Sequence, residues 1–121
     1  MKAFILVSLM LATPAAAAEQ FDLICSAKKT SEHYRLDLAT GEYCWGSCQR
    51  IEKIASVTSG MITLMDIKPV LRGDPEVRKT INRSTGEWNW YSFAPRFDVS
   101  PDIVTGTCQP APFSGFPAAK F

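Results

Sequence analysis

Catalysis by side chains needs groups that exchange protons, attack or ligate, and this chain of 121 residues arranges few of them for it. His33 is the only histidine, so a Ser-His-Asp triad or a histidine metal cluster would rest entirely on it. Its surroundings, Thr30, Ser31 and Glu32, are polar and predict a solvent-facing loop or strand-edge residue. No Gly-rich phosphate loop, His-Glu-x-x-His, Gly-x-Ser-x-Gly or calcium-loop pattern occurs. The carboxylates are scattered, and paired ones such as Asp98 and Asp102 fall in a Pro-containing loop. No catalytic residue, metal ligand or cofactor follows from these residues, and a non-enzymatic protein is expected.

Thiol oxidation is the chemistry the residue types do support. The four cysteines are Cys25, Cys44, Cys48 and Cys108, an even count that reads as two disulfides in an exported chain of this size. Three pairings are possible. Spacing ranks first the one in which Cys44 and Cys48 close on themselves across Gly46 and Ser47, leaving Cys25 to meet Cys108. Chain entropy assigns about 2 kcal/mol to the short loop and about 4.5 kcal/mol to the long one. Zinc binding would want paired ligands on both sides, whereas Cys25 and Cys108 stand alone. Thiol-disulfide catalysis would want two residues between the cysteines at a helix start, and here there are three in a strand-and-turn context.

These groups need a scaffold, and its pattern is β. Apolar and polar residues alternate with period two over 21–26, 34–38, 51–57, 61–67, 77–81 and 88–93, with Gly46, Gly60, Pro69, Gly73, Pro75 and Pro95 between them. Ile51, Ile54 and Val57 would also line one face of a helix, so that segment alone is ambiguous. The expected fold is an all-β antiparallel barrel or sandwich of about seven or eight short strands. A repeat offset by 45 residues sets Asp37, Gly41, Glu42, Tyr43 and Trp45 against Asn82, Gly86, Glu87, Trp88 and Trp90. Asp or Asn opens a type I turn and Gly supplies the left-handed residue, which predicts two four-residue hairpin loops. Pairing Asp37 with Glu42 gathers Tyr34, Leu36, Tyr43 and Trp45 on one face. Pairing Asn82 with Glu87 gathers Val77, Ile81, Trp88 and Trp90. Trp45, Trp88 and Trp90 are candidates to stack on a ligand or partner, but this register makes them core first.

The chain divides into three parts. Residues 1–18 read as a cleaved signal peptide: Lys2 carries the only charge, an apolar run of ten residues follows, and Ala16 and Ala18 stand before Glu19. That run is too short to cross a bilayer, and no later run is longer. Residues 19–108 form a single β domain, and 109–121 a Pro/Phe-rich tail. Without Lys2 the basic and acidic residues balance, which leaves no electrostatic footprint for nucleic acid or an anionic membrane. The expected location is the periplasm or the secreted space.

In the tail, Phe113, Phe116 and Phe121 are placed to pin the segment across an open end of the barrel, and Phe113 and Phe116 are candidates for ligand or partner contact. The ending Gly106-x-Cys108-x-Pro110-Ala111-Pro112-Phe113-Ser114-Gly115-Phe116-Pro117, with Tyr34-Arg35-Leu36-Asp37-Leu38 and Ile81-Asn82-Arg83-x-Thr85-Gly86, resembles a group of small exported proteobacterial proteins of unassigned activity. That resemblance implies export and disulfides and transfers no site residue. A more distant likeness, to periplasmic lysozyme inhibitors of the small β-barrel kind, rests on Thr40-Gly41-Glu42-Tyr43 matching a Ser-Gly-x-x-Tyr loop loosely. The functional expectation is a binding or interaction module, with an envelope protein as partner. The alternatives are an inhibitor of a lysozyme-type envelope hydrolase and a small-ligand barrel.

Overall fold

The structure, a computed structural model, describes residues 18–118. The export segment, apart from Ala18, and Phe121 lie outside these residues. The strands are β1 (Gln20–Ser26), β2 (Ser31–Asp37), β3 (Glu42–Trp45), β4 (Glu52–Lys53), β5 (Ser56–Val57), β6 (Met61–Ile67), β7 (Glu76–Asn82), β8 (Glu87–Phe93) and β9 (Asp102–Pro112). They form one antiparallel sheet in the order β4-β3-β2-β1-β9-β8-β7-β6-β5. No helix occurs among the described residues. The two edge strands are neighbours in the chain, so the sheet curls until its edges meet through Ile54 and Ala55. The Ile54 N–H donates to the Gly41 carbonyl at 2.8 Å on one side, and the Ala55 N–H to the Leu64 carbonyl at 3.4 Å on the other. The ambiguous segment 51–57 is thus one strand broken in two, serving both edges of a barrel-like sheet.

The two hairpins form in the expected register. Asp37 pairs with Glu42, Leu36 with Tyr43 and Tyr34 with Trp45; Ile81 pairs with Trp88 and Thr80 with Asn89. Asp37 Oδ1 accepts the N–H groups of Ala39 and Thr40, and Asn82 Oδ1 those of Ser84 and Thr85. Gly41 and Gly86 hold φ of 70° and 75°, where a side chain would be strained. The side chains turned inward by this register form the core: Leu23, Cys25, Tyr34, Leu36, Tyr43, Ile62, Leu64, Ile81, Trp88 and Cys108.

Both disulfides are Cys25–Cys108 and Cys44–Cys48. Cys25 lies directly opposite Cys108 in the β1–β9 ladder, so the long bridge ties the first strand to the last. Next to it, Gly106 lets β9 approach β1 so closely that any Cβ there would run into the Ser26 carbonyl. Strand β9 continues further than the pattern of the tail implied, through Gln109 to Pro112. Its pairing with β8 stops at Thr107, and Pro110 and Pro112 therefore sit where β9 has only β1 beside it. A proline there costs no ladder bond on the missing side.

Candidate binding site

Alternation along β2 points Glu32 inward below Tyr34, and alternation along β7 points Lys79 inward between Val77 and Ile81. These strands stand four places apart in the sheet, yet Lys79 Nζ lies 3.7 Å from Glu32 Oε2 across the lumen. Ion pairing holds at that distance, although it is too long for a hydrogen bond. The Lys79 side chain is 8% exposed. Its ammonium sits 3.8 Å from the centre of the Trp90 ring, 5.8 Å from that of Trp45 and 5.9 Å from that of Tyr34, three cation–π contacts around one charge. Burial pulls the Lys79 pKa below its ordinary value, with the Glu32 carboxylate opposing that pull.

Rings continue inward from this pair. Trp45, Tyr43, Tyr34, Trp88 and Trp90 follow one another at centroid separations of 5.9, 6.3, 6.2 and 6.4 Å, with Tyr34 edge-on to Trp88. Burial, and after it the Glu32 carboxylate, raises the pKa of Tyr34 far above that of a free phenol. Burial likewise pushes Tyr43 up to about 12. Four buried polar atoms of this group have no hydrogen-bond partner within the protein: Glu32 Oε2, Tyr34 Oη, Trp88 Nε1 and Trp90 Nε1. Trp90 also lines a cleft of about 380 Å³ together with Thr30, Ser92, Asp102, Ile103 and Val104.

At the same end of the sheet lie the two longest connections, residues 68–75 after β6 and 94–101 after β8. Each is braced by its own aspartate: Asp74 accepts the N–H groups of Val70 and Leu71, and Asp98 that of Ala94. The Arg96 side chain packs on Gly73, so the loops touch. Their apolar residues face solvent, with Val70 89%, Leu71 68%, Phe97 88% and Val99 102% exposed. Single exposed apolar side chains are ordinary; four on two adjoining braced loops are not.

The outer face of β1 and β2 carries the third cluster. Asp22 is buried although it points away from the core, because the tail covers it. It accepts from the Ser114 hydroxyl at 2.7 Å and the Ser114 N–H at 3.1 Å, and shares a 2.7 Å hydrogen bond with His33 Nε2. Burial opposes ionisation of Asp22, but these bonds together hold its pKa below the ordinary carboxylate value. Beside it, Arg35 Nη1 donates to the Gly115 carbonyl at 2.8 Å. Serine, histidine and aspartate thus meet, but the carboxylate stands between the other two. Ser114 donates to Asp22 and makes no bond to the imidazole, so the order of the three groups is not that of a Ser-His-Asp relay.

His33 therefore sits on an interior strand, half exposed and partnered, and not in a loop. Among the described residues, the tail lies across the outer face of β1 and β2, where Ser114 meets Asp22 and Gly115 meets Arg35, rather than over an open end of the barrel. Phe113 and Phe116 meet edge to face at 5.4 Å, half-buried in that strap. Trp88 is wholly buried, while Trp45 and Trp90 are partly so and flank Lys79. Tyr43 is buried beside Leu36, which leaves the loose Thr40–Tyr43 match to an inhibitor loop without a projecting tyrosine. Glu32, Lys79 and Tyr34 are the site residues that sequence reasoning passed over. Their signal in the sequence is a glutamate and a lysine at inward positions of strands whose register the two hairpin turns fix. Among the described residues no group of three or more His, Cys, Asp or Glu side chains is placed to hold a metal ion, and no helix is long and apolar enough to cross a membrane. Comparison with known protein families, curated proteins and solved structures finds no match for this chain.

Proposed function

We propose that this protein is a non-catalytic binding module of an exported compartment, the periplasm or the secreted space, which engages an envelope protein through loops 68–75 and 94–101. The observation that carries the reading is the set of four solvent-facing apolar side chains, Val70, Leu71, Phe97 and Val99, held on loops braced by Asp74 and Asp98. Preformed loops lose little freedom on docking, and Leu71 and Phe97 are suited to act as anchors in a partner's apolar recess. Two disulfides fit an oxidising compartment. The test is affinity capture from envelope extracts with wild-type protein beside Leu71→Asp and Phe97→Asp variants. A partner retained by the wild type and lost with both variants is the expected result. Identical captures by all three would reject these loops as the docking surface.

Inhibition of an envelope hydrolase of the lysozyme type is a narrower form of the same reading. It is favoured by the exposure of Leu71 and Phe97 on two loops that touch through Arg96 and Gly73, apolar tips suited to entering a cleft. Micromolar protein should then slow one lysozyme class, and the Phe97→Asp variant should not. Absence of inhibition across several classes would remove this form while leaving the broader one standing.

A further inference from the structure

Charges that balance along the chain, with 13 basic and 12 acidic residues, are separated by the fold. In an antiparallel sheet alternate connections fall at the same end, so residues 27–30 and 46–51 share the end at which loops 68–75 and 94–101 stand. Lys28, Lys29, Arg50, Lys68, Arg72 and Arg96 belong to these four connections, and all six are exposed. The acidic residues of the same connections are Asp74 and Asp98, half-buried and engaged by the N–H groups of Val70, Leu71 and Ala94. Further carboxylates stand at the strand ends behind them. Asp66 lies 3.8 Å from Lys68 and Glu52 3.5 Å from Arg50, while Glu32 is paired with Lys79 inside the barrel. Glu76 is half-buried at the start of β7 and Asp102 exposed at the start of β9, with exposed Arg78 adding one more positive charge nearby. The outermost layer of this end is therefore basic.

Apolar exposure collects at the same end. Ile67 and Ile103 are exposed there in addition to Val70, Leu71, Phe97 and Val99, and Lys28 and Lys29 line a shallow recess with Ile103. Within the loops the two kinds of residue interleave: Lys68, then Val70 and Leu71, then Arg72; Arg96, then Phe97. A protein recess deep enough to take these tips would strip water from the flanking charges and would need a carboxylate for each. A bilayer surface imposes no such burial. Apolar tips enter the acyl boundary, while Lys and Arg extend along it and keep their charges among the headgroups, which attract them when anionic. We propose that this end of the barrel docks peripherally on a bilayer containing anionic lipid. Val70, Leu71, Phe97 and Val99 enter the interfacial layer, and Lys28, Lys29, Arg72 and Arg96 meet the headgroup phosphates. The inference rests on the reading of loops 68–75 and 94–101 as a docking surface. It adds lipid as what the tips enter, so that an envelope protein held by this module is met at the membrane.

The experiment is co-sedimentation of the disulfide-bonded protein from Glu19 onward with vesicles of phosphatidylcholine alone and of equal parts phosphatidylcholine and phosphatidylglycerol. Leaving out residues 1–18 removes an apolar run that would bind lipid by itself, and every strand of the sheet lies within the residues retained. Binding to the anionic vesicles is expected, about tenfold or more stronger than to phosphatidylcholine, and weakened to a similar extent by high salt. Leu71→Asp and Phe97→Asp should each weaken it about tenfold or more. Arg72→Glu should weaken it as well, and all three variants should melt close to wild type because these side chains face solvent. Phe97→Trp should add an indole whose emission bromine-labelled lipid quenches. The inference is overturned by no binding to the anionic vesicles, by equal binding to both kinds, by binding that survives Leu71→Asp and Phe97→Asp, or by no added quenching in Phe97→Trp. Capture of an envelope protein that still requires Leu71 and Phe97 would then leave the docking reading standing, with an acidic protein surface in place of lipid. Failure of vesicle binding and of that capture together removes both.

Discussion

Replacing Lys79 with methionine removes a charge that is 92% buried and leaves the Glu32 carboxylate, itself 16% exposed, without its counter-ion. Removing one partner of a buried pair typically costs about 3–5 kcal/mol, because the remaining charge stays desolvated. The pair here is separated by 3.7 Å and lacks a direct hydrogen bond, which places it at the lower end, near 3 kcal/mol. The loss of the ammonium from the Trp90 face adds up to about 1–2 kcal/mol. Glu32→Gln should cost a similar 3 kcal/mol, by leaving the ammonium alone among aromatic rings. The double variant removes both charges, so it should lie within about 2 kcal/mol of wild type, a coupling of about 4 kcal/mol or more between sites whose single costs are about 3 each. Urea unfolding followed by tryptophan emission resolves this, since 3 kcal/mol at a slope near 1.5 kcal/mol per molar moves the midpoint by roughly 2 M. Single-variant costs below about 1 kcal/mol that simply add would refute the reasoning and place the pair in effect at the surface.

The same lysine has a pH signature. Burial holds its folded pKa below the ordinary 10.5, so the unfolded chain binds more protons in the window between the two values, and stability rises with pH there. Tyr34 and Tyr43 act in the opposite sense. Their folded pKa values are raised above 10, Tyr43 to about 12, and stability falls with pH once the unfolded phenols begin to ionise near 10. Subtracting the alkaline stability profile of Lys79→Met from that of wild type isolates the rising component. A flat difference below pH 10.5 would mean that Lys79 titrates as a free amine.

Other consequences are shorter to state. Asp22→Asn weakens three bonds to Ser114 and His33 and should expose the tail to carboxypeptidase without unfolding the barrel. Because the folded pKa of Asp22 is depressed, the stability it contributes is present above its unfolded value near 3.8 and is lost as pH falls through the folded value, so acid should release the tail in the same way. Gly86→Ala should destabilise more than Gly41→Ala. Both glycines have positive φ, worth about 1 kcal/mol, but only at Gly86 does a new Cβ meet a backbone atom, the Cys108 carbonyl oxygen at 2.9 Å, while at Gly41 it meets open space. Equal thermal shifts would contradict this account. Removing Cys25–Cys108 by paired serine substitution should cost about 4.5 kcal/mol against about 2 for Cys44–Cys48, measured by chemical unfolding, and non-reduced protein should show no free thiol.

Local rules carried far in this chain wherever partners are close in sequence. An aspartate or asparagine four residues before a glycine specifies both hairpin loops. Period-two burial then aligns Asp37 with Glu42 and Ile81 with Trp88, because a slip of one residue would turn Tyr34, Leu36, Trp88 and Trp90 to the solvent face. The short disulfide, the all-β class and the inward direction of Trp88 follow from the same reasoning. Segment 51–57 lay at the limit of that approach, since its split between two edges depends on where the far ends of the sheet come to rest.

What the sequence determined, then, was the alternation of each strand and the chemistry of each turn, both set by neighbours a few residues away. Only the tertiary structure decided which inward side chains meet. Glu32 and Lys79 are 47 positions apart in the chain and join only because the sheet curls β2 over β7; Asp22 and Ser114 are 92 apart and join only because β9 lies beside β1 and carries the tail back over its outer face. Curl and strand order are long-range properties, fixed by how one sheet closes on one core. For that reason the buried ion pair, its aromatic enclosure and the tail latch could not be read from spacing alone.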